Sequence, residues 1–302
     1  MRIISSPLQG YTDSAWRVAH AVIFGGVDNY VAPFVRVDRG EVRRRELLDI
    51  NPERNPGIDL TPQILAAPPA EVEMMLSAVN ELGYRHVSVN LGCPHPPLMR
   101  RHRGAGMLPF PDEVEQLFTT LAGHPEMTYS VKMRLGLDNE LQWRAIMPLL
   151  PIIKPTDVTV HFRTATQQYR GEAVREMLPE VAGEIRYPLI YNGDLTTVDE
   201  IRQITEAVPS LSGVMIGRGL VANPAMIAPE RATAENYRDF HNRLYDAYSQ
   251  RLTGGDHQLL TKLQSLWEYL LPNADRRARK AIRKATNLDK YHHAIENLFD
   301  TL

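Results

Sequence analysis

The sequence predicts an α/β chain: a closed (β/α)8 TIM barrel followed by a small all-α helical bundle. Three observations lead there. Short β-branched, apolar runs alternate with helical patterns through residues 1–228, and eight such units match a barrel of about 250 residues. After the first strand, where an open dinucleotide-binding sheet would carry Gly-x-Gly-x-x-Gly, the chain reads Ser6-Pro7-Leu8-Gln9-Gly10. From about Ala232 the strand signals stop and only helical patterns remain.

The strands are predicted, in order, at Arg2–Ser6, Asn29–Val35, Asp59–Leu65, His86–Leu91, Met127–Met133, Asp157–His161, Leu189–Asn192 and Gly213–Gly217. Most are rich in Val, Ile, Leu or Tyr, and several are bounded by Gly, Pro, Asn or Asp. The third contains Pro62, which cannot donate to a ladder and argues against a regular strand there. Among the helices, Pro69–Gly83 has Pro and acids in its first turn, Val72, Leu76, Val79 and Leu82 at helical spacing, and a terminal Gly. Pro111–Leu121 behaves alike, and Thr197–Ala207 opens on Thr-Val-Asp-Glu, a capping-box pattern. Four further helices are expected at Ala234–Leu252, Gln258–Leu271, Asp275–Ala285 and Asp289–Leu302. The domains divide as 1–228 and 229–302.

Composition narrows the function. The chain has 302 residues, 43% hydrophobic and 23% charged, an ordinary globular mixture. Net charge is −2, so any nucleic-acid site must be a local patch. A single cysteine cannot form an internal disulfide and fits a reducing compartment. The first residues read as a strand rather than a signal peptide, and no apolar stretch approaches the ~20 residues of a membrane span. Cytoplasm, no membrane contact and a monomer are the expectations.

A barrel carries function at the C-terminal ends of its strands. Those ends hold Pro7-Leu8-Gln9-Gly10, Gln63, Asn90 and Cys93, Lys132 and Arg134, His161 and Arg163, Asn192-Gly193-Asp194, and Gly217-Arg218-Gly219. Each has a plain structural explanation alone. Lys132 could be half of a surface alternation, His161 a core histidine, and Asn192-Gly193 a turn dipeptide. Together they make a set. The loops after strands seven and eight are where barrels often bind phosphate, and Arg218 could add a charge-assisted bond. Lys132 and Gln63 would then face something planar and polar in the mouth, which a flavin mononucleotide (FMN) satisfies.

In order along about 220 residues stand Ser6-Pro7-Leu8-Gln9-Gly10-Tyr11-Thr12-Asp13, Phe34-Val35-Arg36-Val37, Asn90-Leu91-Gly92-Cys93-Pro94, Ser130 to Gly136, His161 to Gly171, Tyr191-Asn192-Gly193-Asp194 and Met215 to Gly219. This ordered set resembles the dihydrouridine synthases, FMN enzymes that reduce uridines in tRNA. The resemblance implies that Pro7, Leu8 and Gln9 line the flavin ring. Gln63 and Lys132 would bond its polar edge, and His161 would contact the cofactor. Asn192, Gly193, Asp194, Gly217 and Arg218 would hold its phosphate. Asn90 and Arg134 would contact the target uracil, with Arg36 and Arg163 near RNA. It implies NADPH as reductant, no metal, and Cys93 as the acid that protonates C5 after hydride reaches C6. A thiol, with an ordinary pKa of ~8.5, is mostly protonated at neutral pH and suits that role.

The target base must leave its stack to react, and affinity should come from phosphates. Arg276-Arg277-Ala278-Arg279-Lys280-Ala281-Ile282-Arg283-Lys284 supplies six cations and no acid in nine residues. Arg276, Lys280, Arg283 and Lys284 can share one helix face, where the resemblance implies RNA binding. Arg100-Arg101-His102-Arg103 adds cations after Cys93, and Arg43-Arg44-Arg45 could extend the track, although the flanking Glu41 and Glu46 favour a solvated helix.

Three positions depart from the family's pattern: Phe162 replaces a small residue, the loop His95–Arg103 lacks the usual small polar residues, and Pro33 replaces an acid. They leave the modified position open, and with it a ribosomal RNA target. Two other readings stand beside this one: an FMN barrel oxidoreductase acting on a free pyrimidine or enone, and a non-catalytic RNA-binding barrel.

Overall fold

The computed structural model describes residues 1–302. Eight parallel strand segments form the barrel: β1 (Arg2–Ser5), β2 (Asn29–Val31), β3 (Leu60–Thr61, resumed at Gln63–Leu65), β4 (His86–Leu91), β5 (Thr128–Gly136), β6 (Val158–Thr164), β7 (Leu189–Asn192) and β8 (Gly213–Ile216). Hydrogen bonding runs β3-β2-β1-β8-β7-β6-β5-β4-β3, so the sheet starts and ends on the same segment and the ring closes. Pro62 interrupts β3 because it has no N–H to give. Its carbonyl still accepts from the Ser88 N–H at 2.9 Å, and beyond it Val35 bridges to Ile64, carrying the ladder past the break.

Alternation along the central strands sorts the side chains. Val87, Val89 and Leu91, then Val131, Met133 and Leu135, then Val158, Val160 and Phe162 all join the main apolar core. These face the helices. The intervening Ser88 and Asn90, Ser130, Lys132 and Arg134, and Thr159, His161 and Arg163 are buried polar residues. A strand's period of two therefore directs polar groups into the barrel and apolar ones outward. The separate small cluster of Ile4, Val31, Ile190 and Met215 fills the apolar side of the interior. Phe162 falls on the outward face and stacks on Tyr191, with centroids 5.1 Å apart, so its bulk does not intrude on the mouth.

Strands β5 and β6 each extend three residues beyond their predicted ends, to Gly136 and Thr164. The predicted helices appear at Pro69–Glu81, Pro111–Ala122 and Val198–Ala207, the last with its full Thr197–Glu200 capping box. Between β5 and β6 the barrel helix is replaced by two 3-10 turns, Gln142–Ala145 and Met147–Ile152, where Pro148 and Pro151 remove helical N–H groups. A hairpin, Val37–Asp38 with Glu41–Val42, follows β2 and leads into a helix at Arg44–Ile50.

The C-terminal helices are Ala234–Arg251, Gly255–Leu266, Arg276–Lys284 and Leu288–Phe299. The first of them packs on the helix Ser14–Ile23 and the others on one another, and the apolar core passes without a break from Trp16 and Phe24 into Phe240, Leu244 and Trp267. No helix is long and apolar enough to cross a membrane.

Candidate active site at the mouth of the barrel

A cavity of about 1140 Å³ opens where the strands end. It is lined by Pro7, Leu8 and Gln9 after β1, Arg36 after β2, Asn90 and Cys93 from β4 and its loop, Lys132 and Arg134 from β5, and His161 from β6. Asn192, Gly193, Asp194, Gly217 and Arg218 complete the far wall. Two expected residues lie one layer beneath: Gln63 is wholly buried, and the Arg163 side chain is 1% exposed. Neither reaches the cavity wall.

Asn90 organises the cysteine loop. Its Oδ1 accepts the backbone N–H groups of Gly92 at 3.0 Å and Cys93 at 2.8 Å. Its Nδ2 donates to Gln63 Oε1 at 2.7 Å, and Gln63 Nε2 donates to Ser88 Oγ at 3.1 Å. Gln63 thus acts on the cavity through Asn90. The loop returns against itself at Gly104, whose φ of +56° and close approach leave no room for a side chain: a Cβ there would stand 2.9 Å from that of Cys93. Burial pushes the Cys93 thiol above its ordinary pKa, against the opposing pull of the His95 N–H and of Arg134, Arg36 and Lys132. The group is held as S–H.

Arg134 spans the mouth. Its Nε donates to the Gly92 carbonyl at 3.0 Å, and its Nη1 to the carbonyls of Thr164 at 2.7 Å and Gln168 at 2.9 Å. Beside it, Lys132 donates to Asn192 Oδ1 at 3.2 Å, and Asn192 Nδ2 donates to the Met215 carbonyl at 2.7 Å. Burial, with Arg134 nearby, lowers the Lys132 amine to about 7. His161 is pushed well below its ordinary value by burial and by the surrounding cations Arg134, Lys132, Arg163 and Arg218. It is neutral at pH 7. Arg163 Nη1 stands 3.4 Å from His161 Nε2 and can only donate, so Nε2 accepts and the ring proton rests on Nδ1.

Asp194 joins two arginines. Arg163 Nη1 donates to its Oδ1 at 2.8 Å and Arg163 Nη2 to its Oδ2, while Arg218 Nη2 also donates to Oδ1 at 2.8 Å. Burial opposes ionisation of this carboxyl, but the Arg163 bonds outweigh it and keep the group below the ordinary carboxylate range. The buried Arg163 therefore orients Asp194, which in turn orients Arg218.

Sequence reasoning assigned no role to Tyr169, Glu268 or Tyr269, and all line the cavity. The Arg218 guanidinium lies 4.5 Å from the Tyr169 ring centre and that of Arg134 5.6 Å. Tyr169 follows a strand end by a loop, where side-chain periodicity carries no signal. Glu268 and Tyr269 come from the helical domain, and their proximity is a tertiary fact with no local trace.

Outside the cavity, Arg276, Arg277, Lys280, Arg283 and Lys284 are all exposed, whereas Arg279 is turned inward to the carbonyls of Pro272 and Trp267, each at 3.0 Å. Arg100 and Arg101 are exposed beside the cysteine loop, but Arg103 is tied to Glu71 at 2.6 Å. In the Arg43–Arg45 run the buried Glu46 pairs with Arg36 at 3.4 Å and Arg43 at 3.6 Å.

Comparison with known proteins gives one family and one fold. The family model described as dihydrouridine synthase (Dus) matches residues 3–297. The chain is similar to a tRNA-dihydrouridine(16) synthase of Ralstonia nicotianae, 29% identical over 74% of this chain and 70% of the relative. It is also similar to a tRNA-dihydrouridine(16) synthase of Pseudomonas putida, 26% identical over 88% and 81%. A tRNA-dihydrouridine synthase B of Pasteurella multocida is 27% identical over 54% and 49%. Among solved structures, the histamine dehydrogenase of Rhizobium sp. 4-9 superposes with a TM-score of 0.54 at 9% identity, covering 88% of this chain and 49% of that one. A GH18 chitinase of Pseudoalteromonas aurantia superposes at 0.50 and 11% identity, covering 77% and 99%. Two such different enzymes share only the barrel with it.

Proposed function

Because this chain belongs to the dihydrouridine synthase family, we propose that it reduces specific uridines of tRNA to 5,6-dihydrouridine, using bound FMN and NADPH. The observation that carries this reading is the gathering of the Cys93 thiol, Asn90, Arg134 and the buried Lys132 amine around one cavity. A cavity of about 1140 Å³ exceeds the usual ~300–1,000 Å³ of a single-ligand site and leaves room for a cofactor and a base together.

The residues fit a flavin mononucleotide. Lys132 is buried with one protein acceptor, Asn192, so it keeps at least one N–H group free for a ligand. Arg218, fixed through Asp194, offers a guanidinium on the side of β7 and β8 where barrels commonly take a phosphate. Pro7, Leu8 and Gln9 supply a wall for the ring, and Asn192, Gly193, Asp194, Gly217 and Arg218 form the phosphate side. When bound, the flavin supplies the hydride, taken from NADPH, that goes from N5 to uracil C6.

The chain's own groups do the rest. Lys132 favours negative charge at the polar edge of the cofactor site, and His161 presents a neutral imidazole to it. Asn90 and Arg134 hold the uracil. Cys93 retains its proton until C5 requires it and then donates it. Gln63 and Arg163 act indirectly, through Asn90 and Asp194. Arg36 stands at the rim on the RNA side, and Arg276, Lys280, Arg283 and Lys284 engage phosphates as the target base is flipped into the cavity. The division at 228/229 then sets a barrel that carries the catalytic residues against a helical domain that carries RNA binding and closes one side of the cavity, in a cytoplasmic monomer.

The first test is the absorbance spectrum of the purified protein and the mass of what heat releases. Flavin bands near ~450 nm and released FMN are expected, followed by NADPH-dependent dihydrouridine in tRNA lacking that base. Position-by-position mapping shows whether the target is the uridine for which two of the relatives are named. A colourless protein that refuses added FMN would sink the proposal. A flavoprotein that reduces free pyrimidines or ribosomal RNA but not tRNA would replace it with one of the other readings.

A further inference from the structure

The loop after β1 is gripped from outside the barrel. Lys262, on the Gly255–Leu266 helix of the second domain, donates to the Gly10 carbonyl at 2.7 Å and pairs with Asp13 Oδ2 at 2.8 Å. Its ammonium lies 4.7 Å from the centre of the Tyr248 ring, and the Tyr248 hydroxyl donates to Asp13 Oδ1 at 3.0 Å. Tyr11 donates to Glu268 and meets the Tyr269 ring edge-on at 5.0 Å. Arg251 donates to Ser14 Oγ at 2.9 Å.

The loop's own bonds are local. Leu8 N–H donates to Thr12 Oγ1 at 2.8 Å, and the N–H groups of Tyr11 and Thr12 return to the Leu8 carbonyl at 3.0 and 3.1 Å. The Ser6 N–H donates to the Ile216 carbonyl of β8 at 2.8 Å and anchors the loop's start, but beyond it the turn makes no main-chain bond to a barrel strand. Gly10, with φ of +88°, gives the backbone little resistance to pivoting there. The long-range bond to its carbonyl comes from Lys262, 252 positions away in the chain. The Lys262 side chain is 19% exposed, and its ammonium is compensated by a carbonyl, a carboxylate and a ring face, a geometry strong enough to hold it partly out of water.

We propose that Lys262 is a positioning residue for the cofactor: it holds the Pro7–Gln9 wall over the mouth of the barrel, so the flavin site is completed by the second domain. The proposal rests on the FMN reading above.

The test is FMN binding to the full-length apoprotein, read by quenching of flavin fluorescence and by the visible circular dichroism of the bound ring. Lys262→Met should raise the FMN dissociation constant by about tenfold or more, as loss of a charge-assisted bond predicts, and alter the dichroism. Lys262→Arg, which can still donate to Gly10 and pair with Asp13, should restore both. Should Lys262→Met misfold, Asp13→Asn keeps the helix cap while removing the carboxylate partner, and a smaller weakening in the same direction is expected. If neither variant changes FMN affinity or dichroism, Lys262 is only an interdomain contact and the proposal is overturned. A parent protein that takes no FMN removes the cofactor reading itself, and this one with it.

Discussion

Asn90 holds Cys93 by its backbone: the Asn90 Oδ1 accepts the Cys93 N–H at 2.8 Å, and that of Gly92 at 3.0 Å. The residue two places into the loop is thereby fixed by the last polar side chain of β4. Asn90→Ala removes the acceptor of two N–H groups and the donor to Gln63 at once. Leaving such groups unpaired costs about 1–3 kcal/mol each when they stay buried. We expect a lower urea midpoint and a loss of uridine reduction larger than any loss of bound flavin. An Asn90→Ala protein with parental turnover on tRNA would show that the thiol needs no such support.

Cys93→Ala separates the two half-reactions. The protein should still bind flavin and oxidise NADPH, while dihydrouridine formation falls by about 10²–10⁴-fold, the usual contribution of a positioned acid. Mass analysis of digested tRNA measures it. The pH profile carries a second signature. Burial raises the thiol above its ordinary value, and an acid is active only while protonated. The Cys93-dependent part of uridine reduction should therefore hold through neutrality and fail only on the alkaline side, above that raised pKa. An acid limb at neutral pH that disappears in Cys93→Ala would assign the proton to another donor.

Much of the site was legible because the barrel converts sequence position into place. A polar residue inside an apolar strand, such as Lys132 in Val131-Lys132-Met133, must point either to solvent or into the barrel. In a parallel sheet covered by helices only the interior remains. The same rule placed Asn90, Arg134, His161 and Asn192. It did not separate layers: Gln63 and Arg163 obey the alternation but end beneath the cavity, because neighbouring polar groups, Asn90 and Asp194, take their hydrogen bonds. Strand ends ran long at β5 and β6 because Arg134 and Arg163, charged residues that argue for a loop, are buried and paired. The helix between those strands was lost to Pro148 and Pro151. Tyr169, Lys262 and Glu268 were invisible, since their partners lie on other elements.

The basic helix makes a separable prediction. Arg276, Lys280, Arg283 and Lys284 are exposed and enter no ion pair, so their charges are free for phosphate. Replacing all four by Gln should weaken tRNA binding and lower the slope of log affinity against log salt by up to about 3. Flavin content and NADPH oxidation should not change, because the helix lies outside the cavity. An unchanged salt slope, measured by filter binding or fluorescence anisotropy, would move the RNA track elsewhere.

Two buried histidines predict how the fold responds to acid. His20 Nε2 lies 3.0 Å from the Pro224 carbonyl, which can only accept, and its Nδ1 lies 2.7 Å from the Tyr30 hydroxyl. In the neutral ring Nε2–H donates to that carbonyl and Nδ1 accepts from the Tyr30 hydroxyl, so both ring nitrogens are satisfied without a second proton. His241 bonds the Tyr291 hydroxyl at 2.9 Å, which also receives the Trp267 N–H at 3.1 Å. Burial lowers both imidazoles from the ordinary 6.5 to about 4. Between those values the unfolded chain binds protons that the folded chain refuses. Stability from these groups is therefore complete above about pH 6.5 and is lost as pH falls toward 4, at up to about 1.4 kcal/mol per pH unit for each histidine. Carboxylates add their own slope below pH 5, so the informative quantity is a difference between proteins. His20→Gln retains an N–H for Pro224 and an oxygen for Tyr30 but cannot titrate. Its urea midpoint should start below the parent's at pH 7 and converge on it as pH falls from 6.5 to 4.5. Parallel curves would mean that His20 keeps an ordinary pKa in the folded chain and that burial does not enforce its neutrality.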